Sequence, residues 1–221
     1  MIGYLIAICI FAGLIFMAIL LAGEKKKSKP LILSSKPVLS LGFILTALAL
    51  IVTWNYFSSL IIFGFIFAMA GDICLIFHEN KRIFMVGLIS FLAGHLFYCL
   101  AFFISAANLV PLIIAAPILA VLGFFIFKRL SPVLGKMKIP VLAYIIVISL
   151  MVLGAAALFG NTEINITCRI LIIFGAILFY ISDLFIARHR FVKEDYINRA
   201  FGLPLYYSAQ YLIAFSLYYF E

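Results

Sequence analysis

Apolar residues in this chain come in long blocks, not in alternation. Eight stretches are hydrophobic almost throughout: residues 2–22, 38–53, 57–77, 83–104, 109–127, 139–159, 168–187 and 201–220. A run of about 20 apolar residues is long enough to cross hydrocarbon as a helix. Backbone amides cannot go unpaired in lipid, so each run predicts a transmembrane helix. The runs exceed barrel strands in length and lack their period-two alternation. The pattern predicts an all-α polytopic membrane protein of eight transmembrane helices, with residues 1–221 as a single transmembrane domain. The first run has no basic start and no clear small-residue cleavage site, and its positive charges follow it. It reads as a retained helix, not a signal peptide.

Composition agrees. The chain is 67% hydrophobic with a mean hydropathy of +1.30, whereas a soluble domain is about half apolar. The net charge of +8 would suit nucleic acid, but its distribution points to the bilayer instead. Lys25, Lys26, Lys27, Lys29 and Lys36 surround the first loop, and Lys81 and Arg82 the third. Lys128, Arg129, Lys136 and Lys138 surround the fifth, and Arg188, Arg190, Lys193 and Arg199 the seventh. Only Arg169 falls in an even-numbered loop, so 15 of the 16 basic residues lie on one side of an eight-helix chain. The positive-inside rule makes that side the cytoplasm and puts both termini outside, with a bacterial plasma membrane as the expected location. Cys9, Cys74, Cys99 and Cys168 form no CxxC pair and read as small apolar residues.

Two features hint at a duplication. Lys36-Pro37-Val38-Leu39 and Ile139-Pro140-Val141-Leu142 each open a span, and Gly71-Asp72 and Ser182-Asp183 each lie near the end of one. Two parallel four-helix repeats would give this spacing, since four crossings restore the starting side.

Of eight acidic residues, only Asp72 and Asp183 lie inside spans. Their distances from His78 and Arg188 place each roughly 8–9 Å along its helix from the cytoplasmic edge. A charge at depth costs on the order of 3 kcal/mol on insertion scales, so such residues face cavities and usually act. Two carboxyls sharing a low-dielectric pocket favour protonation of one of them, and a protonated carboxylic acid can serve as a general acid. The two are therefore candidate catalytic residues. His95 lies deeper in span 4 and is expected on the cavity floor, away from both acids. Tyr206 and Tyr207 in span 8 fall near the depth of the aspartates, and Gln210 is a buried amide in need of partners. Lys36, at the cytoplasmic mouth of span 2, is positioned to hold a lipid phosphate. One buried histidine gives no three-ligand zinc site, so no metal is expected. Gly64, Ala68 and Gly71 share a face of span 3 and predict close helix packing there.

The ordered set of Lys36-Pro37, Gly71-Asp72, Gly87 to His95 and Tyr98, Ser182-Asp183, and Tyr207 to Gln210 resembles the YhhN-like lysoplasmalogenase family of eight-helix membrane proteins. The resemblance covers nearly the whole chain. It implies hydrolysis of the vinyl ether of a lysoplasmalogen, a lysophospholipid, to a fatty aldehyde and a glycerophospho-ethanolamine or -choline, with no metal or organic cofactor. Vinyl ethers are acid-labile, and a carboxyl pair could divide the work as in glycosidases, around an oxocarbenium-like transition state. Asp72 and Asp183 would be the acid and base in either order. Lys36, His95, Tyr206, Tyr207 and Gln210 would bind or orient the substrate, in a site opening toward the cytoplasmic half. Two other readings stay open: a proton-coupled transporter of a small molecule or lipid, and a hydrolase of another lipid bond.

Overall fold

The computed structural model describes residues 2–220, without the side chains of residues 2, 3, 5 and 6. It contains eight long helices: α1 (Ile2–Lys26), α2 (Lys29–Leu50), α3 (Tyr56–Ile76), α4 (Lys81–Ile104), α5 (Val110–Leu130), α6 (Lys138–Phe159), α7 (Ile166–Ala187) and α8 (Tyr196–Ser216). No strand occurs among the described residues. Seven of the helices are long and apolar enough to cross a membrane. The eighth, α8, falls below that hydropathy because it carries Asn198, Arg199, Gly202, Tyr206, Tyr207 and Gln210. Its 21 residues still reach about 30 Å, a full hydrocarbon thickness.

Helix ends follow local chemistry. Asn55 caps α3 in a reciprocal capping box with Ser58. Asn80, Asn165 and Asp195 cap α4, α7 and α8 through side-chain oxygens. These residues accept the orphan amides of a first turn.

Interloop contacts sort the two ends of the bundle. Lys27 pairs with Glu194 at 3.1 Å, Lys29 with Glu79 at 2.9 Å and Arg199 with Glu24 at 3.6 Å, joining the first, third and seventh loops. Leu130 and Leu134 pack with Val141, Ala187 and Phe191, bringing in the fifth. At the other end, the Asn161 side-chain amide donates to the Ser105 carbonyl at 2.9 Å, and Phe57 stacks on Phe220 at 3.8 Å. The odd loops therefore share one face, as the charge alternation predicts. Lys29 and Lys27 hold the carboxyls of Glu79 and Glu194 below the usual carboxylate range.

Packing follows the same order in both halves. Consecutive helices pair along each half, α3 most extensively with α4 and α7 with α8. The halves then join crosswise, α4 on α6 and α2 on α8. Helix α1 packs against both α2 and α8, whereas its counterpart α5 rests on α6 and scarcely meets α4.

The span 3 glycine face does what its spacing predicts. A Cβ at Gly64 would overlap the Tyr98 ring, and one at Gly71 would come within 2.6 Å of the Phe91 ring. These contacts let α4 lie close against α3 and bring the Tyr98 hydroxyl to Gln210. Gly64→Ala is expected to displace Tyr98 and destabilise the bundle by about 1–3 kcal/mol, read as a lowered melting temperature in detergent.

The sequence reading started helix 2 at residue 38, after Pro37. The helix in fact begins at Lys29 and runs through Pro37. Pro37 leaves the Leu33 carbonyl without its amide donor, and in the turn before it the Ser34 and Ser35 hydroxyls donate to the Leu31 carbonyl. This lengthening carries Lys36 about 10 Å along the helix, from the expected mouth into the interior.

Candidate active site

Each intramembrane aspartate sits where the second helix of its own half meets the fourth helix of the other half. The two surroundings are chemically opposite. Asp72, on α3, is 2% exposed and fully engaged. Its Oδ1 is 3.1 Å from Lys36 Nζ, and Lys36 also donates to the Asp72 backbone carbonyl at 3.2 Å. Its Oδ2 accepts from Ser40 Oγ and from Tyr206 Oη, each at 2.7 Å. The network continues inward. Gln210 Nε2 donates to Tyr206 Oη at 3.2 Å, and Tyr98 Oη donates to Gln210 Oε1 at 2.9 Å. Tyr207 Oη lies 3.4 Å from Ser40 Oγ and donates to the Lys36 carbonyl at 3.3 Å. This is a buried ion pair whose remaining donors and acceptors are satisfied, the condition under which such a pair can persist in low dielectric.

Asp183, on α7, has no Lys or Arg partner among the described residues. Its Oδ2 makes no hydrogen bond and lies 3.8 Å from His95 Nε2, which is also without a partner. The other ring nitrogen, Nδ1, is 2.6 Å from the Phe91 carbonyl. A carbonyl can only accept, so Nδ1 carries the proton there, and a neutral ring turns an Nε2 lone pair toward Asp183. Phe179 and Tyr144 fix the imidazole edge-on, at centroid distances of 4.6 and 5.3 Å.

Asp183 lines a cavity of about 820 Å³, its open part included, between α4, α5, α6 and α7. The walls are overwhelmingly apolar, with Leu88, Phe91, Ile126, Ile145 and Ile148 prominent and Tyr144 beside the acid. The cavity occupies the gap left where α5 stands away from α4. It reaches the odd-loop face at Phe84 and Arg190, where it adjoins a polar cleft.

Two expected placements are corrected by this geometry. Lys36 is not at a mouth; it is 4% exposed and neutralises Asp72. His95 does not lie apart from both acids, because the ring of a helix residue reaches sideways as well as along the axis, here toward Asp183. The expectation of one shared pocket also fails. Asp72 does not line the cavity that holds Asp183, and the aromatic rings of Tyr206 and Tyr98, with Phe179 packed on both and on His95, stand between the two acids.

The sequence profile of the YhhN family matches residues 31–217. The chain belongs to the YhhN family. Similar curated proteins include lysoplasmalogenase TMEM86A of Bos taurus, 28% identical over 179 residues, which cover 80% of this chain and 69% of the relative. Lysoplasmalogenase TMEM86B of Mus musculus is 32% identical over 146 residues, 66% of this chain and 58% of the relative. Lysoplasmalogenase TMEM86A of Homo sapiens is 32% identical over 158 residues, 69% of this chain and 62% of the relative. The chain thus spans between 58% and 69% of the length of these relatives. No solved structure matches it.

Within this YhhN-family site, Tyr206, Tyr207 and Gln210 gather around Asp72, whereas His95 joins Asp183. The sequence reading missed Ser40, Tyr144 and Arg190. Ser40 was legible in principle as a hydroxyl one turn beyond Lys36 on the same helix face. Tyr144 and Arg190 carried no distinguishing signal, one being a tyrosine in an apolar run and the other one of several loop cations.

Proposed function

We propose that this protein is a membrane-embedded hydrolase that cleaves the vinyl ether bond of lysoplasmalogens, giving a fatty aldehyde and a glycerophospho-ethanolamine or -choline. One observation carries the assignment. Asp183 is an acid without a counter-cation among the described residues, on the wall of an apolar cavity that opens between helices and at the odd-loop face. The names of the relatives point the same way.

The reaction follows from the two environments. Asp183 is the general acid, because the carboxyl facing an imidazole lone pair and no cation is the one suited to carry a proton. It delivers that proton to the β-carbon of the vinyl ether and leaves an oxocarbenium ion. The resulting carboxylate lies beside the cation, and the buried Asp72–Lys36 pair, held by Ser40 and Tyr206 outside the cavity, contributes a fixed dipole to the surrounding field. Water then adds to the cationic carbon and returns its proton to Asp183. The hemiacetal breaks its bond to the glycerol oxygen, which takes up a proton, and the aldehyde departs. Preorganised charge of this kind acts most strongly where water is excluded. The gap between α4 and α5 gives the substrate a lateral route from the bilayer, on the face we assign to the cytoplasm.

The test is an assay of purified protein on a vinyl-ether lysophospholipid, reading fatty aldehyde by mass spectrometry. In heavy water the aldehyde is expected to carry one deuterium on the carbon next to the carbonyl, placed there by the acid. The saturated alkyl ether, which cannot form the cation by protonation, is expected to remain intact. Folded protein that yields no aldehyde would overturn the assignment and direct attention to ester lipids and to proton-driven uptake in proteoliposomes.

A further inference from the structure

We infer that Arg190 is the phosphate-binding residue of this site, holding the phosphodiester of a lysophospholipid whose chain fills the Asp183 cavity. The inference rests on the hydrolase reading for the identity of the lipid and goes beyond it in naming how the headgroup is held. Among the described residues Arg190 is the one cation lining the Asp183 cavity, and it also lines the adjoining polar cleft, so it stands where tail surface gives way to headgroup surface. The cleft's other Lys and Arg side chains are engaged. Lys193 pairs with Asp195 at 3.3 Å and Arg199 with Glu24 at 3.6 Å. Arg190 has no carboxylate partner among the described residues. Its guanidinium instead lies over the Phe84 ring, 4.2 Å from the centroid, which orients it while leaving its donors free.

The local backbone reinforces this. Residues Arg188–Val192 form a π-helical turn continuing α7, a departure from α geometry that is frequent at functional sites. It also fixes Arg190 relative to Asp183 on one continuous element. They lie seven positions apart, roughly 10 Å along the axis. In a lysoplasmalogen, seven bonds separate phosphorus from the vinyl β-carbon. Extended chains advance about 3.3–3.6 Å per three bonds, so that path is about 8 Å. A phosphate on Arg190 therefore brings the acid-labile carbon to Asp183, with the guanidinium supplying the remaining reach. The fork of donors on Arg suits a phosphodiester better than a point charge would.

Binding of a non-cleavable 1-O-alkyl lysophospholipid and of the matching 1-O-alkylglycerol, measured calorimetrically on the full-length protein in detergent, tests this without relying on turnover. Wild type should bind the phospholipid at least about tenfold more tightly. Arg190→Gln should erase that preference and leave alkylglycerol binding unchanged, Arg190→Lys should restore part of it, and Arg188→Gln should keep it. A preference that survives in Arg190→Gln, or one that is lost in Arg188→Gln, would overturn the inference. So would a wild type that shows no preference, or one saturated by inorganic phosphate with no further gain from an attached chain, which would make this a free-anion site. Alkenyl lipid turnover assayed alongside separates the two readings, because a phosphate preference without aldehyde production fails the hydrolase assignment alone.

Discussion

Asp183→Asn is expected to lower turnover of a vinyl-ether lysophospholipid by about a thousandfold or more while the protein remains folded. Asparagine keeps the shape of the side chain and removes the transferable proton, and general acid catalysis typically contributes 10²–10⁴-fold. The structure also predicts that stability is spared. Among the described residues Asp183 has no Lys or Arg partner to strand, and its Oδ2 already lacks a hydrogen bond. A neutral amide is at least as well suited to an apolar wall as a carboxyl, so the melting temperature in detergent should hold or rise. Loss of activity without loss of stability marks a residue kept for function, since catalytic sites commonly give up stability. His95→Gln offers a milder comparison. It removes the imidazole beside the acid but not the proton source, so a smaller loss is expected. Turnover in Asp183→Asn within tenfold of wild type would show that the proton comes from elsewhere.

How much of this was readable beforehand depended on whether lipid or neighbouring helices set the constraint. Helix number and fold class were legible because hydrocarbon demands long apolar helices, and Asp72 and Asp183 stood out because hydrocarbon does not tolerate acids. Helix α8 was read as a span from its aromatic and aliphatic residues, and its lower hydropathy reflects the polar network it supplies to Asp72. What the sequence hid was partnership. Pro37 looked like a helix start because proline breaks most helix interiors, and that single misreading put Lys36 at the surface, when α2 carries it to Asp72. Whether His95 reached Asp183, and whether α5 stood off from α4 to open a cavity, depended on tertiary packing with no local signature. The matched prolines and aspartates suggested two four-helix repeats. The packing of α2 on α8 and of α4 on α6 gives the two acids different surroundings, Lys36 as a counter-ion for one and a cavity for the other, and does not by itself establish a duplication.

That difference between the two acids yields a prediction in which stability and activity part company. Lys36→Met alone strands the Asp72 carboxylate in the interior, and breaking a buried pair this way typically destabilises by about 3–5 kcal/mol. Asp72→Asn alone strands the Lys36 ammonium at similar cost. The double variant Lys36→Met/Asp72→Asn leaves no charge uncompensated. It is expected to recover most of the lost stability, so the double-mutant cycle, followed by denaturation in detergent, should show a coupling of several kcal/mol. Recovery of the fold is not expected to recover turnover. If the fixed dipole of the Asp72–Lys36 pair supports the oxocarbenium ion, the folded double variant should remain slower than wild type by about tenfold or more, as when preorganised polar groups are removed. Wild-type turnover in that variant would reduce Lys36 and Asp72 to a structural clasp and leave the chemistry to Asp183 alone. Failure of the double variant to regain stability would instead mean that Ser40, Tyr206 and Gln210 are organised by the charge itself, because a carboxylate holds the Ser40 and Tyr206 hydroxyls at 2.7 Å more strongly than a neutral amide oxygen would.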